Sequence, residues 1–88
     1  MRKNEREAKR HYEQIQYYYK NAGGGGYIQA WHHYCELSKL IVRAFQSKND
    51  KGDVVVIQSL REMAEPLMAE MKQREDALVK EREEKSTT

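Results

Sequence analysis

The chain has one cysteine, one proline, one tryptophan and one phenylalanine among its 88 residues. Its longest aliphatic run, Val54-Val55-Val56-Ile57, is only four residues long. Each scarcity excludes something. Cys35 alone cannot close an internal disulfide, which fits a reducing cytosol. No apolar stretch approaches the roughly 20 residues that span a bilayer. The charged opening Met1-Arg2-Lys3-Asn4-Glu5 has no apolar segment behind it, unlike a secretory signal. At 10.4 kDa the chain is too short for a nucleotide-binding α/β domain, a barrel or a two-lobed enzyme. Hydrophobic residues make up 39%, charged residues 34%, and mean hydropathy is −1.02. A domain this small buries only about 60–65% of the surface its unfolded chain exposes, so a second copy or a partner is expected to complete the core.

What is present is helical in period. Two polar breaks, Gly23-Gly24-Gly25-Gly26 and the stretch from Ser47 to Asp53, separate three segments. In the first, about residues 3–21, Ala8, Tyr12, Ile15, Tyr19 and Ala22 recur at alternating spacings of four and three. The second, about 27–47, carries two stripes. One is Ile28, Trp31, Tyr34/Cys35, Ser38, Ile41/Val42 and Phe45; the other is Tyr27, Ala30, Leu37, Leu40 and Ala44. A helix apolar on two sides is a central one. The third segment, about 53–80, runs Val54, Ile57, Leu60, Ala64, Leu67, Met71 and Leu78 in heptad register, with Arg74 in one core position and Asp53 as N-cap. Pro66 predicts a kink or a restart there. The Val54–Ile57 run has no second strand to pair with and is read as helix.

These patterns predict an all-α fold: an antiparallel hairpin of residues 27–47 and 53–80 with an N-terminal third helix. One domain spans 1–80, residues 81–88 form a charged flexible tail, and the whole assembles as a homodimer or higher helical bundle, in part coiled-coil-like. Net charge is +2, with the first half basic and the second mildly acidic.

Several features could carry function. Tyr17-Tyr18-Tyr19 point about 100° apart on a helix, so they cannot all be core. Tyrosine, tryptophan and methionine are favoured at protein interfaces. Tyr17, Tyr18, Tyr27, Trp31, His32 and Met68 are therefore the candidate contacts for a protein partner. An alternative is an anion site for nucleotides or single-stranded nucleic acid, built from Arg10, Lys20 and the amides of Gly24, Gly25 and Gly26 with neighbouring tyrosines. The glycine run lacks the order of a P-loop, and a helix connector is the simpler reading. His32 with Cys35, and His33 with Glu36, have the i, i+3 spacing of metal ligands, but a tetrahedral site needs four and the only other histidine is His11. No metal and no cofactor is expected.

Arg6 and His11, with Glu-Ala-Lys-Arg between them, resemble over six residues the Arg-x4-His motif of the HEPN family of helical ribonucleases. Glu7 stands where that family usually carries another polar residue, and no pocket of acid–base groups is assembled around the pair, so the motif is not adopted. In outline the chain also resembles small helical-hairpin proteins of phages and secretion systems, without a motif that names a family. The expectation is a non-enzymatic, cytoplasmic interaction module (an adaptor, chaperone or inhibitor) that binds another protein and itself, and no membrane.

Overall fold

A computed structural model describes residues 3–21, 26–48 and 51–86, with side chains of the last stretch as far as Glu83. They form three α-helices, α1 (Lys3–Asn21), α2 (Tyr27–Gln46) and α3 (Lys51–Ser86), with no strand among the described residues. Val54–Ile57 is helical, as its lack of a pairing partner requires.

The ends of the helices have local causes. Gly26 precedes α2 at φ 84°, in the left-handed region that glycine enters without steric cost. Its carbonyl accepts the Ala30 N–H at 2.9 Å, the first bond of the helix. At the other end Ser47 turns extended, and its N–H folds back to the Ala44 carbonyl at 3.3 Å. Asp53 is not the cap of α3: the helix starts at Lys51 and places Asp53, buried, in its first turn. An acidic group there still complements the positive end of the helix dipole. Nor does α3 restart at Pro66, which lies inside one continuous helix. That helix runs to Ser86, past the expected end near residue 80, with residues 80–83 exposed along it.

Each helix touches the other two. Ala8 and Ile15 from α1 meet Ala30, Leu37, Leu40 and Ala44 from α2, and Ile57, Ala64, Met68 and Met71 from α3. Ile15, Leu37, Ile57 and Met71 are the largest fully buried side chains, each stabilising the fold by about 1.5–3 kcal/mol. The buried alanines let the helices approach closely where they cross. Around this line Tyr12, Tyr18, Tyr19, Tyr34, Ile41, Val54, Leu60 and Leu67 are partly covered. The result is a thin rod, 59 × 21 × 15 Å, whose length is set by the roughly 54 Å of α3.

Arg74, the charged residue in an otherwise apolar register, fastens α1 to α3. Its Nη1 donates to the Tyr19 carbonyl at 3.2 Å and its Nη2 to Glu70 Oε1 at 2.9 Å. The guanidinium lies 4.8 Å from the centre of the Tyr19 ring. Tyr19 in turn donates its hydroxyl to Glu70 Oε2 at 2.5 Å. A cation on a carbonyl of the last turn of α1 opposes the negative end of that helix's dipole. The shared carboxylate raises the Tyr19 hydroxyl above the usual tyrosine range, and that same hydroxyl is the leading cause of Glu70's lowered value.

Candidate functional site

The two stripes of α2 meet different fates. Ala30, Leu37, Leu40 and Ala44 are buried against α1 and α3. The other stripe faces outward: Ile28 is 72% exposed, Trp31 47%, Val42 55% and Phe45 67%. Cys35 and Ser38, which complete its heptad spacing, are half-buried. The face is therefore apolar over some 25 Å of helix, taking 1.5 Å per residue. Its four large side chains leave on the order of 450 Å² accessible, within the size range in which surface patches are often functional.

Along one edge of this face three rings form a ladder. Tyr27 and Trp31 lie 6.2 Å apart between centroids and 28° from parallel; Trp31 and Tyr34 are 5.4 Å apart and 21° from parallel. The ladder is held from α3. The Arg61 guanidinium sits 5.2 Å from the Tyr34 ring centre, and the Tyr34 hydroxyl donates to Glu65 Oε1 at 3.3 Å. Trp31 is thereby oriented before any partner arrives, which reduces the side-chain entropy lost on binding. The opposite edge is polar: His32, Lys39 and Arg43 are exposed, with Lys39 paired to Glu36 at 3.1 Å and Arg43 reaching Glu7 of α1 at 3.6 Å. An apolar centre between polar borders is the common anatomy of a protein interface.

Of the residues proposed as partner contacts, Trp31 lies on this face and Tyr27 and His32 on its borders. Tyr17 is exposed on α1 and packs edge-on against Tyr18 at 5.3 Å; Tyr18 is partly buried, stacked near His33. Met68 is a correction. It is buried in the core, so its pliable side chain fills a helix–helix contact and offers nothing to a partner. Ile28, Val42 and Phe45 belong to the exposed face but escaped the list of contacts, because periodicity shows that α2 has two apolar sides without showing which one the fold covers.

The suggested anion site is described only in part. Arg10 and Lys20 are both exposed on α1, about 15 Å apart along its axis. Gly24 and Gly25 lie outside the described residues, and Gly26 serves as the N-terminal residue before α2. Arg10 instead joins Lys3, Arg6 and Glu7 around a shallow concavity of about 310 Å³ on α1. Arg6 lines that concavity, while His11 contacts His33 of α2.

His11 meets His33 across the α1–α2 contact, Nδ1 to Nδ1 at 2.9 Å. One imidazole must donate while the other accepts, so at least one ring is neutral. His32 lies edge-on to His33 at 5.6 Å. Burial is the main reason that His11 and His33 fall below the ordinary imidazole range; Glu7 and Glu36 pull His11 back up, while His32 and Arg10 push it further down. Among the described residues no group of three His, Cys, Asp or Glu side chains could hold a metal ion.

The lowered values fix the sign of a pH effect. The unfolded chain binds protons below about pH 6.5 that the folded pair refuses, so the stability it contributes is complete above that pH and declines as acid is added. A melting series from about pH 7.5 to about pH 5.5 should show a falling midpoint, and the fall should be shallower in His33→Gln. An equal slope in wild type and variant would show that the pair does not carry the effect.

Comparison of the chain with family models, with curated proteins and with solved structures returns no match. No helix among the described residues is long and apolar enough to cross a membrane.

Proposed function

We propose that this chain is a small non-enzymatic protein-interaction module of the cytosol, an α2–α3 antiparallel hairpin braced by α1, whose outer α2 face docks on protein. One observation carries the reading: Trp31, the only tryptophan, stands half-exposed in the middle of the Tyr27–Trp31–Tyr34 ladder instead of completing the core. Burying it elsewhere would stabilise the monomer, and a fixed aromatic beside Ile28, Val42 and Phe45 is the kind of anchor that dominates binding energies at interfaces. The histidines are engaged with each other across a helix contact, which supports a structural use over acid–base work. The separation of Arg10 from Lys20 leaves the nucleotide and nucleic-acid alternative with less support.

The test compares capture of partners from the native cell by the wild-type chain and by Trp31→Ala, with Lys20→Ala as control. The helical circular dichroism of Trp31→Ala should match wild type, because the ring is outside the core, while recovery of specifically bound protein should fall at least tenfold, the loss expected on removing an aromatic anchor worth about 1.4 kcal/mol or more. Equal recovery by both variants and the wild type would refute the assignment of this face.

A further inference from the structure

We infer that the protein which covers the outer face of α2 is a second copy of this chain, packed with its own α2 reversed about a two-fold axis that passes between residues 36 and 37. The inference rests on the reading of this face as a docking surface and names its occupant.

The stripe is self-complementary only in the reversed sense. Ile28, Trp31, Cys35, Ser38, Val42 and Phe45 follow spacings of three, four, three, four and three, which read the same from either end. Reversal sets Ile28 opposite the partner's Phe45, Trp31 opposite the partner's Val42, and Cys35 opposite the partner's Ser38. Each outer layer then joins one aromatic to one aliphatic side chain of smaller volume, and the small central pair lets the two helices come close. A parallel pairing would instead set Trp31 against its own copy and Phe45 against its own copy, with an under-filled Ser38 layer between. A two-fold interface requires one patch to complement itself, and the reversed arrangement meets that requirement.

Charge agrees with shape. On the polar border Glu36 and Lys39 both lie within three residues of the axis. Reversal brings Glu36 within about 3 Å, measured along the helix, of the level of the partner's Lys39, and the converse pair forms by symmetry. The acid and base now paired within one chain at 3.1 Å can thus also bridge two.

Surface area points the same way. The accessible surface is 6254 Å², whereas a compact monomer of 10.4 kDa exposes about 5,400 Å². A rod of 59 × 21 × 15 Å exposes more than a compact body of the same mass, and the uncovered α2 face is part of that excess.

Light scattering on the full chain at tens of micromolar should give twice the 10.4 kDa chain mass. Phe45→Asp places a charge in both outer layers and should weaken the dimer at least about 30-fold. It should keep wild-type helicity, since Phe45 is 67% exposed. Val55→Asp, at an equally exposed apolar site off the stripe, should leave the dimer intact. The register is read by cysteine pairing in a Cys35→Ser background: Ile28→Cys mixed with Phe45→Cys should yield an oxidised heterodimer, and neither alone should cross-link. A monomeric wild type, a dimer indifferent to Phe45→Asp, or Phe45→Cys pairing with itself would each overturn the inference. A monomer whose protein capture still depends on Trp31 would leave the docking reading standing and remove only the second copy as its occupant.

Discussion

Leu37→Ala should destabilise the chain by about 2–5 kcal/mol, the range for truncating a buried leucine. That is a large part of the 5–15 kcal/mol that holds most domains together. For a domain of this size each kcal/mol moves the melting midpoint by about 4–8 °C, so a fall of at least about 8 °C is expected by circular dichroism. Leu37 has no exposed surface and lies mid-helix on the buried stripe of α2, among side chains from both neighbours. Few larger residues are available to close the gap, because much of the surrounding core is alanine: Ala8, Ala30, Ala44 and Ala64 are all fully buried. Phe45→Ala is the instructive contrast. The two residues are both large and apolar and lie eight positions apart on one helix, yet Phe45 should cost the fold little. A melting midpoint moved equally by both substitutions would mean that the wrong stripe of α2 has been assigned to the core.

That contrast also marks how far the sequence could be read. Helix number, type and position follow from period: the spacing of Ala8, Ile15 and Tyr19 and of Ile57, Ala64 and Met71 leaves little choice, and the glycine run and the polar stretch that begins at Ser47 mark the breaks, although α3 already starts at Lys51. Which side of α2 is covered was not legible, because both stripes have helical spacing and the richer one is the exposed one. The fold buries the stripe with the smaller residues, since alanine at three-helix contacts allows closer packing than Trp31 or Phe45 would. Met68 was misplaced for a related reason: it follows Leu67 directly, and heptad register marks Leu67 as inward, whereas a helix of 3.6 residues per turn drifts from that register and turns the neighbour into the contact. The His11–His33 pair joins residues 22 positions apart, and nothing local announces it. Asp53 looks like a cap by residue type, but helical structure begins two residues earlier.

Pro66→Ala should raise stability by about 1–3 kcal/mol. Pro66 lies inside α3, sixteenth of its 36 residues, with its ring exposed. It has no N–H to offer the Glu62 carbonyl four residues back, and its ring crowds that same carbonyl. Alanine supplies the donor, removes the crowding and has the highest helix propensity, while the ring's exposure means that no core contact is lost. Some of the gain is offset because proline restricts the unfolded chain, an effect of about 0.4–1 kcal/mol. The expected rise in melting midpoint is roughly 5–20 °C. Contacts on both sides of the proline make the result informative: Arg61 and Glu65 hold Tyr34 before it, and Glu70 and Arg74 hold Tyr19 after it. If these two sets of contacts need the axis of α3 to bend between them, straightening the helix will pull one set apart, and the midpoint will fall. A lowered midpoint together with loss of the Tyr19–Glu70 bond, read as a return of the Tyr19 hydroxyl toward the ordinary tyrosine range, would identify Pro66 as a required bend and refute the gain argued here.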